Sequence, residues 1–471
     1  RSALGLASRP CEPDGDVAGR PHHGDRQTRS HPFRRIDRLS SRAEGGLENT
    51  GAPGASVAIV RDAKIAYANA YGSARLVPAT PATPTMRFSI GSVSKQFTAA
   101  AILLLVEEKK LSLDDKVAKW LPRLTRANDV SVRQILSMTS GYQDYWPQDY
   151  VMPGMLQPTT AQQIIDQWAR KPLDFEPGTK WQYSNTNYVI AGLIIEKASG
   201  MPLLEFLQQR VFTPLQMQSV ANIDAAALGA ADAAGYMRYA LAPVRPAPKE
   251  ARGWLYAAGE LAMNAHDLAL WDISMINRTV LKPASYAAMQ TDVLLTNGAG
   301  THYGLGVAVN MVGGRRQISH GGEVSGYTTR NEVYPDERTA IVVFTNLDAT
   351  GASSQIAARI GSVIFGSTDA AAQTALVQAK RIFAELQHGR IDRTLFSPNA
   401  NAYFSAQAIA DFASSLASLG TPAEFAQTNQ GLRGGMTSRA YLIRCGQKTL
   451  NLTTFTLPDG KLEQFQVARA E

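Results

Sequence analysis

The chain has 471 residues, 45% hydrophobic and 18% charged, so it is globular and too long for one ordinary domain. Its net charge of +7 comes from scattered basic residues without an aromatic-and-basic motif, which argues against a nucleic-acid partner. No apolar run reaches the roughly 18 residues that span a bilayer, and two cysteines make neither a disulfide framework nor a zinc signature.

The N-terminal region reads as a tail. Residues 1–44 are rich in Arg, Pro, Gly and His and lack hydrophobic periodicity, so we expect a disordered segment there. The stretch ALGLAS is too short for a signal-peptide core, and the natural start of the chain is not visible because no Met begins it. His22 and His23 have no ligand partner at metal-binding spacing.

Residues 45–366 have the pattern of one α+β domain. GASVAIVRDAKIAYANAYG, from Gly54, reads as two strands joined by a tight turn, and helical stretches such as TNYVIAGLIIEKASG follow. Strand patterns return after Gly300 in HYGLGVAVNMV, RRQISHGG and TAIVVFTN. This order predicts an antiparallel sheet that holds both ends of the domain, flanked by helices, with a helical lobe inserted.

Ser92 and Lys95 lie three residues apart in GSVSKQFTAAAILLLVEE, at the start of an apolar helical pattern. On a helix the two side chains share a face, and burial lowers the pKa of a lysine until it can accept a proton. A serine beside such a lysine is an activated nucleophile. A chain of this length also contains about one or two S-x-x-K strings by chance, so the motif needs support elsewhere.

Two later stretches supply candidate site residues. Tyr183 and Asn185 stand in the polar segment WQYSN, directly before an apolar helix. His320, Gly321 and Gly322 end a predicted strand, where paired glycines let a substrate backbone approach closely. Taken singly, the tyrosine is compatible with a core position and the glycines with a plain turn.

Residues 374–471 read as a separate small α+β domain. TALVQAKRIFAELQHG and QAIADFASSLASLG have amphipathic helical patterns, and AYLIRCGQKTLNLTTFTLPDGKLEQFQVAR reads as three strands. Helices followed by a meander are similar to the cone-shaped fold of polyketide cyclases and the nuclear transport factor. Tyr441, Phe455 and Phe465 fit core positions better than a ligand pocket.

In this order, S-x-x-K, Y-S-N and H-G-G resemble the three motifs of the serine β-lactamase and penicillin-binding protein superfamily. The resemblance is to the branch of class C β-lactamases, DD-carboxypeptidases, D-aminopeptidases and family VIII carboxylesterases, and it extends from about Gly54 to Gly366. It implies a β-lactamase/transpeptidase-like fold, a small-molecule substrate and no metal or organic cofactor. The family also implies a periplasmic or secreted location, whereas the oligomeric state stays open.

The resemblance also implies roles for individual residues. Ser92 is the nucleophile, Lys95 its proton partner, and Tyr183 carries the proton to the leaving group. Asn185, His320, Gly321 and Gly322 bind the substrate, and the backbone N–H groups of Ser92 and Glu323 form the oxyanion hole. That list places a histidine where β-lactamases usually carry lysine. With an ordinary pKa near 6.5, His320 is expected to attract a substrate carboxylate weakly and to gain charge toward pH 6.

The same resemblance leaves the substrate open. A carboxylesterase-like or β-lactamase-like hydrolase is the leading interpretation, with a D-amino-acid peptidase or DD-carboxypeptidase as the alternative. A penicillin-binding protein that acylates with little turnover is the third. Met138 stands where the family commonly has histidine, and Glu260 where a second glycine is usual; both departures look structural. The absence of G-x-S-x-G argues against an α/β-hydrolase.

Overall fold

The computed structural model describes residues 32–148, 150–365 and 370–470. Its helices are α1 (Pro32–Thr50), α2 (Ser94–Glu107), α3 (Val132–Leu136), α4 (Ala161–Trp168), α5 (Asn185–Ser199), α6 (Leu203–Leu207), α7 (Tyr256–Gly259), α8 (Ala265–Asn277), α9 (Pro283–Met289), α10 (Ala352–Phe365), α11 (Ala370–Gln387), α12 (Pro398–Tyr403) and α13 (Ala406–Leu416). Across these ranges no helix combines the length and the apolar character needed to cross a bilayer.

The strands form one large sheet and three smaller ones. They are β1 (Gly54–Arg61), β2 (Lys64–Arg75), β3 (Thr80–Pro81), β4 (Phe88–Ser89), β5 (Ala221–Asn222), β6 (Tyr236–Met237), β7 (Arg245–Pro246), β8 (Leu261–Met263), β9 (Ala308–Val312), β10 (Arg315–Val324), β11 (Tyr327–Tyr334), β12 (Thr339–Thr345), β13 (Glu424–Arg433), β14 (Met436–Cys445), β15 (Lys448–Thr456) and β16 (Leu462–Arg469).

The seven-stranded sheet joins the two ends of the first domain. Its strand order is β3-β2-β1-β12-β11-β10-β9, and every neighbouring pair is antiparallel. Strand β1 lies directly against β12, with Val57 opposite Val343. The predicted α+β architecture, with an antiparallel sheet that holds both ends of the domain, is therefore confirmed.

Both faces of this sheet are covered. Along β12, Ile341 and Val343 belong to the core on one face, whereas Val342 and Phe344 belong to the core on the other. Successive side chains of a strand point to opposite faces, so a strand buried on both sides reads as a continuous apolar run. That is why TAIVVFT has no polar alternation. The larger core includes α2, whose residues Ser94 to Leu105 are all buried.

The helix α1 contradicts part of the predicted tail. We expected disorder through residue 44, but α1 begins at Pro32, and its residues Leu39, Ala43 and Leu47 are buried against the sheet and α10. Those three positions are spaced by four residues, so they share one helix face. This apolar face is not evident in the sequence, because arginine, serine and glycine lie between its three members. Residues 1–31 lie outside the described part of the chain.

The C-terminal residues have a hydrophobic core of their own, drawn from α11 to α13 and the sheet β13-β14-β15-β16. Tyr441 and Phe465 belong to that core, as their sequence pattern suggested, while Phe455 is half-buried. We predicted three strands here and the sheet has four. The missed strand is β13, whose last six residues are exposed and therefore carry no apolar alternation. The cone-shaped fold and the boundary at residue 374 stay predictions.

Removal of one buried α1 side chain tests whether this helix belongs to the domain. Leu47→Ala should lower the free energy of unfolding by about 2–4 kcal/mol, because it leaves a cavity between α1 and α10. Glu48→Ala, one residue along on the exposed side of the helix, is the matched control and should change it by less than about 0.5 kcal/mol. Urea unfolding measures both, and equal stabilities would contradict the packing of α1.

Candidate active site

The serine of the S-x-x-K motif lies on a short 3-10 turn, Gly91–Val93, that leads into α2. We expected the helix itself to start at Ser92, whereas α2 begins at Ser94. Ser92 is half-buried on the wall of a cleft, and Lys95, in the first turn of α2, is fully buried behind it. The turn therefore exposes the hydroxyl while the helix buries the amine.

The Lys95 amine has three acceptors at equal distance. Its Nζ lies 2.8 Å from Ser92 Oγ, 2.8 Å from Asn185 Oδ1 and 2.8 Å from the carbonyl oxygen of Ala258. The last two oxygens can only accept hydrogen bonds. A neutral amine must therefore direct its two N–H bonds to Asn185 and Ala258, which leaves its lone pair facing the hydroxyl of Ser92.

The surroundings of Lys95 favour that neutral form. Burial lowers its pKa from the usual value near 10.5 to about 7, and the negative charge of Asp144 opposes part of this decrease. Desolvation penalises the charged form of an amine, so the direction follows from the position of Lys95 in the core. Near neutral pH a large fraction of the amine is unprotonated.

Tyr183 also lines the cleft, with its ring centre 5.1 Å from Lys95 Nζ and its phenol near the Ser92 hydroxyl. Burial raises the pKa of the Tyr183 phenol well above its usual value, so the group keeps its proton at neutral pH.

Met138 contacts the segment that carries Tyr183. Its Sδ accepts a hydrogen bond from the backbone N–H of Ser184 at 3.5 Å. Met138 thus has a structural contact at the position where the family has histidine.

Asp144 is a cleft residue that the sequence analysis missed. It lies in the loop GYQDYW after α3 and lines the cleft beside Asn185. Asp144 Oδ1 accepts the backbone N–H of Asn185 at 2.9 Å, and Oδ2 accepts Asn185 Nδ2 at 3.2 Å. These two bonds fix the side-chain amide so that its oxygen faces Lys95. The carboxylate also caps the first turn of α5, a role that no local pattern around residue 144 reveals.

The strand β10 passes unusually close to the serine turn. A Cβ atom on Gly322 would lie 1.9 Å from the carbonyl oxygen of Ile90, and one on Gly91 would lie 2.8 Å from the backbone nitrogen of Glu323. Gly91 also has a φ of +49°, a conformation that side chains disfavour. Both glycines are therefore needed for the contact, which brings the backbone N–H groups of Ser92 and Glu323 to the same wall of the cleft.

His320 differs from our expectation in its charge. Its Nδ1–H donates to the carbonyl oxygen of Gly321 at 2.5 Å, so Nε2 is the acceptor for the Tyr303 hydroxyl at 2.8 Å. Burial, together with the positive charge of Lys95, lowers the pKa of His320 to about 3. The predicted gain of charge near pH 6 is therefore wrong, because His320 is only 6% exposed and its ring stays neutral.

The cleft has a volume of about 560 Å³ and gathers the residues that the three motifs predicted. Ser92, Tyr183, Asn185 and the segment from His320 to Glu323 all line it, with Lys95 behind Ser92. Its other lining residues in the described chain include the carboxylates Asp144 and Asp348 but no lysine or arginine. Within the same ranges no cluster of three potential metal ligands is present.

Glu260, the second departure, is buried beside the site. Its carboxylate accepts a hydrogen bond from Asn222 Nδ2 at 2.7 Å. Burial, reinforced by the charge of Asp224, raises the pKa of Glu260 to about 8. The residue therefore ties the segment after α7 to β5, which agrees with a structural role.

Comparison with known proteins places this geometry in context. The family model for Beta-lactamase matches residues 39–362, more than half of the chain. The D-aminopeptidase of Brucella anthropi is 30% identical over 318 residues, which is 67% of this chain and 59% of that protein. The chain thus matches about three fifths of the length of this curated relative.

Two solved structures are similar in fold. A D-stereospecific amidohydrolase from Streptomyces sp. is 26% identical with a TM-score of 0.60, over 68% of this chain and 96% of that one. The octameric penicillin-binding protein homologue from Pyrococcus abyssi is 22% identical with a TM-score of 0.62, over 93% of this chain and 96% of that one. The second similarity includes most of the C-terminal residues. From the extent of the family match, the chain belongs to the Beta-lactamase family.

Proposed function

We propose that the protein is a serine hydrolase that forms an acyl-enzyme at Ser92 with a small ester or amide. The observation that carries this proposal is the geometry of Lys95. Its two acceptor-only partners leave the amine lone pair to Ser92, and its pKa of about 7 makes that lone pair available near neutral pH. This is the arrangement of an activated nucleophile.

Acylation would exchange the bond to the leaving group for a bond to Ser92 Oγ, while the serine proton moves to the leaving group by way of Lys95 and Tyr183. Ser92 Oγ attacks the substrate carbonyl carbon as its proton passes to Lys95. The negative charge that develops on the carbonyl oxygen is stabilised by the backbone N–H groups of Ser92 and Glu323. When the tetrahedral intermediate collapses, the bond to the leaving group breaks, and the Tyr183 phenol supplies the proton and regains one from Lys95. Water then attacks the acyl-enzyme by the reverse sequence.

The charge of the cleft bears on the substrate. A β-lactam or a DD-carboxypeptidase substrate carries a carboxylate, and the described cleft lining contains no lysine or arginine to bind it, while His320 is neutral. Uncharged esters and amides fit better. The carboxylesterase-like interpretation is therefore favoured over the β-lactamase-like one.

A D-amino-acid peptidase is the second candidate. The carboxylate of Asp144 on the cleft wall suits a substrate with a free amino group. The similarity to a D-aminopeptidase and to a D-stereospecific amidohydrolase supports the same choice. The third candidate, a penicillin-binding protein with little turnover, would release one equivalent of leaving group in a burst and then stop.

Substitution of the nucleophile tests the central proposal. Ser92→Ala should reduce hydrolysis of p-nitrophenyl acetate by at least about a thousandfold and abolish covalent labelling, because it removes the attacking hydroxyl. Its melting temperature should stay within a few degrees of that of the wild type. A variant that keeps more than about a tenth of the rate would show that the nucleophile lies elsewhere.

The pH dependence tests the role of Lys95. The amine must be neutral to accept the serine proton, and its folded pKa of about 7 means that acid protonates it below that value. The kcat/KM for an uncharged ester should therefore fall about tenfold for each pH unit below roughly 7. His320 contributes nothing to this limb, since its pKa is about 3. A limb centred below pH 5 would contradict the assignment.

Substrate charge tests the role of position 320. His320→Lys should raise the ratio of kcat/KM for nitrocefin, which carries a carboxylate, to that for p-nitrophenyl acetate by about fivefold or more, because it adds a cation to the cleft. His320→Gln is the neutral control and should leave the ratio near that of the wild type. If the lysine variant leaves the ratio unchanged, position 320 has no part in substrate recognition.

A further inference from the structure

Asp144 is a half-buried carboxylate that lines the substrate cleft and forms no salt bridge within the described chain. Its hydrogen-bond donors in the described chain are all neutral: the backbone N–H of Trp146 at 3.2 Å and the two nitrogens of Asn185. Oδ1 accepts two of these bonds and Oδ2 accepts one. Since a carboxylate oxygen has two lone-pair directions, Oδ2 can take one more donor. Desolvation raises the pKa of Asp144, because it penalises the charged form, and a cation bound beside the carboxylate would compensate that cost.

The walls around this carboxylate also suit a cation. Trp146 and Tyr150 line the same cleft as Asp144, and aromatic faces attract ammonium groups. A substrate bound there would be near the reacting serine, because Asn185 bridges Asp144 to Lys95, and Lys95 contacts Ser92.

Asp144 also acts on the proton of Lys95. The groups that face the Lys95 amine are Ser92 on the 3-10 turn, Asn185 and Tyr188 on α5, Tyr183 before that helix, the Ala258 carbonyl on α7, and His320 on β10. The tyrosines keep their protons and His320 is neutral. Asp144 is therefore the negative charge that favours protonated Lys95.

We propose that Asp144 binds a substrate ammonium group near the scissile carbonyl and that this binding releases Lys95 from the carboxylate that holds its proton. The substrate charge would then complete the general base. Enzyme without substrate keeps more of its lysine protonated, and binding of an amine shifts Lys95 toward the neutral form that accepts the serine proton. This inference rests on the proposed hydrolase function and names its preferred substrate class as amino-acid esters and amides with a free amino group.

Binding to an inactive protein tests the subsite without turnover. In the Ser92→Ala background, calorimetry would compare D-phenylalaninamide with 3-phenylpropanamide, which differs only in lacking the ammonium group. The amine should bind at least about tenfold more tightly, and adding Asp144→Asn should remove most of that difference. Asp348→Asn is the matched control: Asp348 lines the same cleft and accepts the Gly326 N–H at 2.9 Å. It should retain the preference.

The wild-type pH profile tests the coupling. For a phenylalanine p-nitrophenyl ester, the acid limb of kcat, which reports bound enzyme, should lie at lower pH than the limb of kcat/KM, which reports free enzyme. For the 3-phenylpropanoyl ester the two limbs should coincide. Coincident limbs for both esters would overturn the coupling, and an amine preference that survives Asp144→Asn would overturn the subsite. Failure of the hydrolase proposal has a different signature, namely no turnover of either ester and no labelling of Ser92.

Discussion

The confinement of the Lys95 amine is the constraint on which the rest of the site depends. A fully buried amine is stable here because three oxygens surround it, and each comes from a different part of the chain: Ser92 on the turn, Asn185 on α5, and Ala258 on α7. The positions of these elements are therefore coupled through one nitrogen atom. The apolar helix α2 supplies the low-dielectric surroundings that make the amine a weak base.

The sheet contributes the other wall of the site through strand β10, which lies against the serine turn. Gly322 lets β10 approach Ile90 and the serine turn more closely than any other residue would, so that the backbone N–H of Glu323 on the strand lies near the turn that carries the Ser92 hydroxyl. The sheet itself is packed on both faces, with α1 and α10 on one side and the core around α2 on the other. The reacting groups thus come from a layered domain in which each layer fixes the next.

The sequence predicts the parts of this structure that depend on local spacing. Ser92 and Lys95 are three residues apart on a recognisable helical pattern, and the buried strand β12 is visible as an apolar run. Contacts between distant segments are less accessible. Asp144 reaches the start of α5 across forty-one residues, and the partner of His320 is Tyr303, seventeen residues away, which reverses the expected charge behaviour of the ring. The sequence does not reveal α1, because residues typical of loops separate its buried positions, or β13, because its residues are half-buried or exposed.

The pairing of His320 with Tyr303 has a consequence for chemical probing. Reagents that acylate histidine attack an imidazole nitrogen whose lone pair is free, and the ring of His320 offers none: Nδ1 carries the proton bound to Gly321, and Nε2 is covered by the tyrosine hydroxyl. A transition metal that seeks an imidazole ligand meets the same obstacle. If the protein resists such reagents, the cause would be the shielding of His320, and the result would not mean that the cleft lacks a histidine.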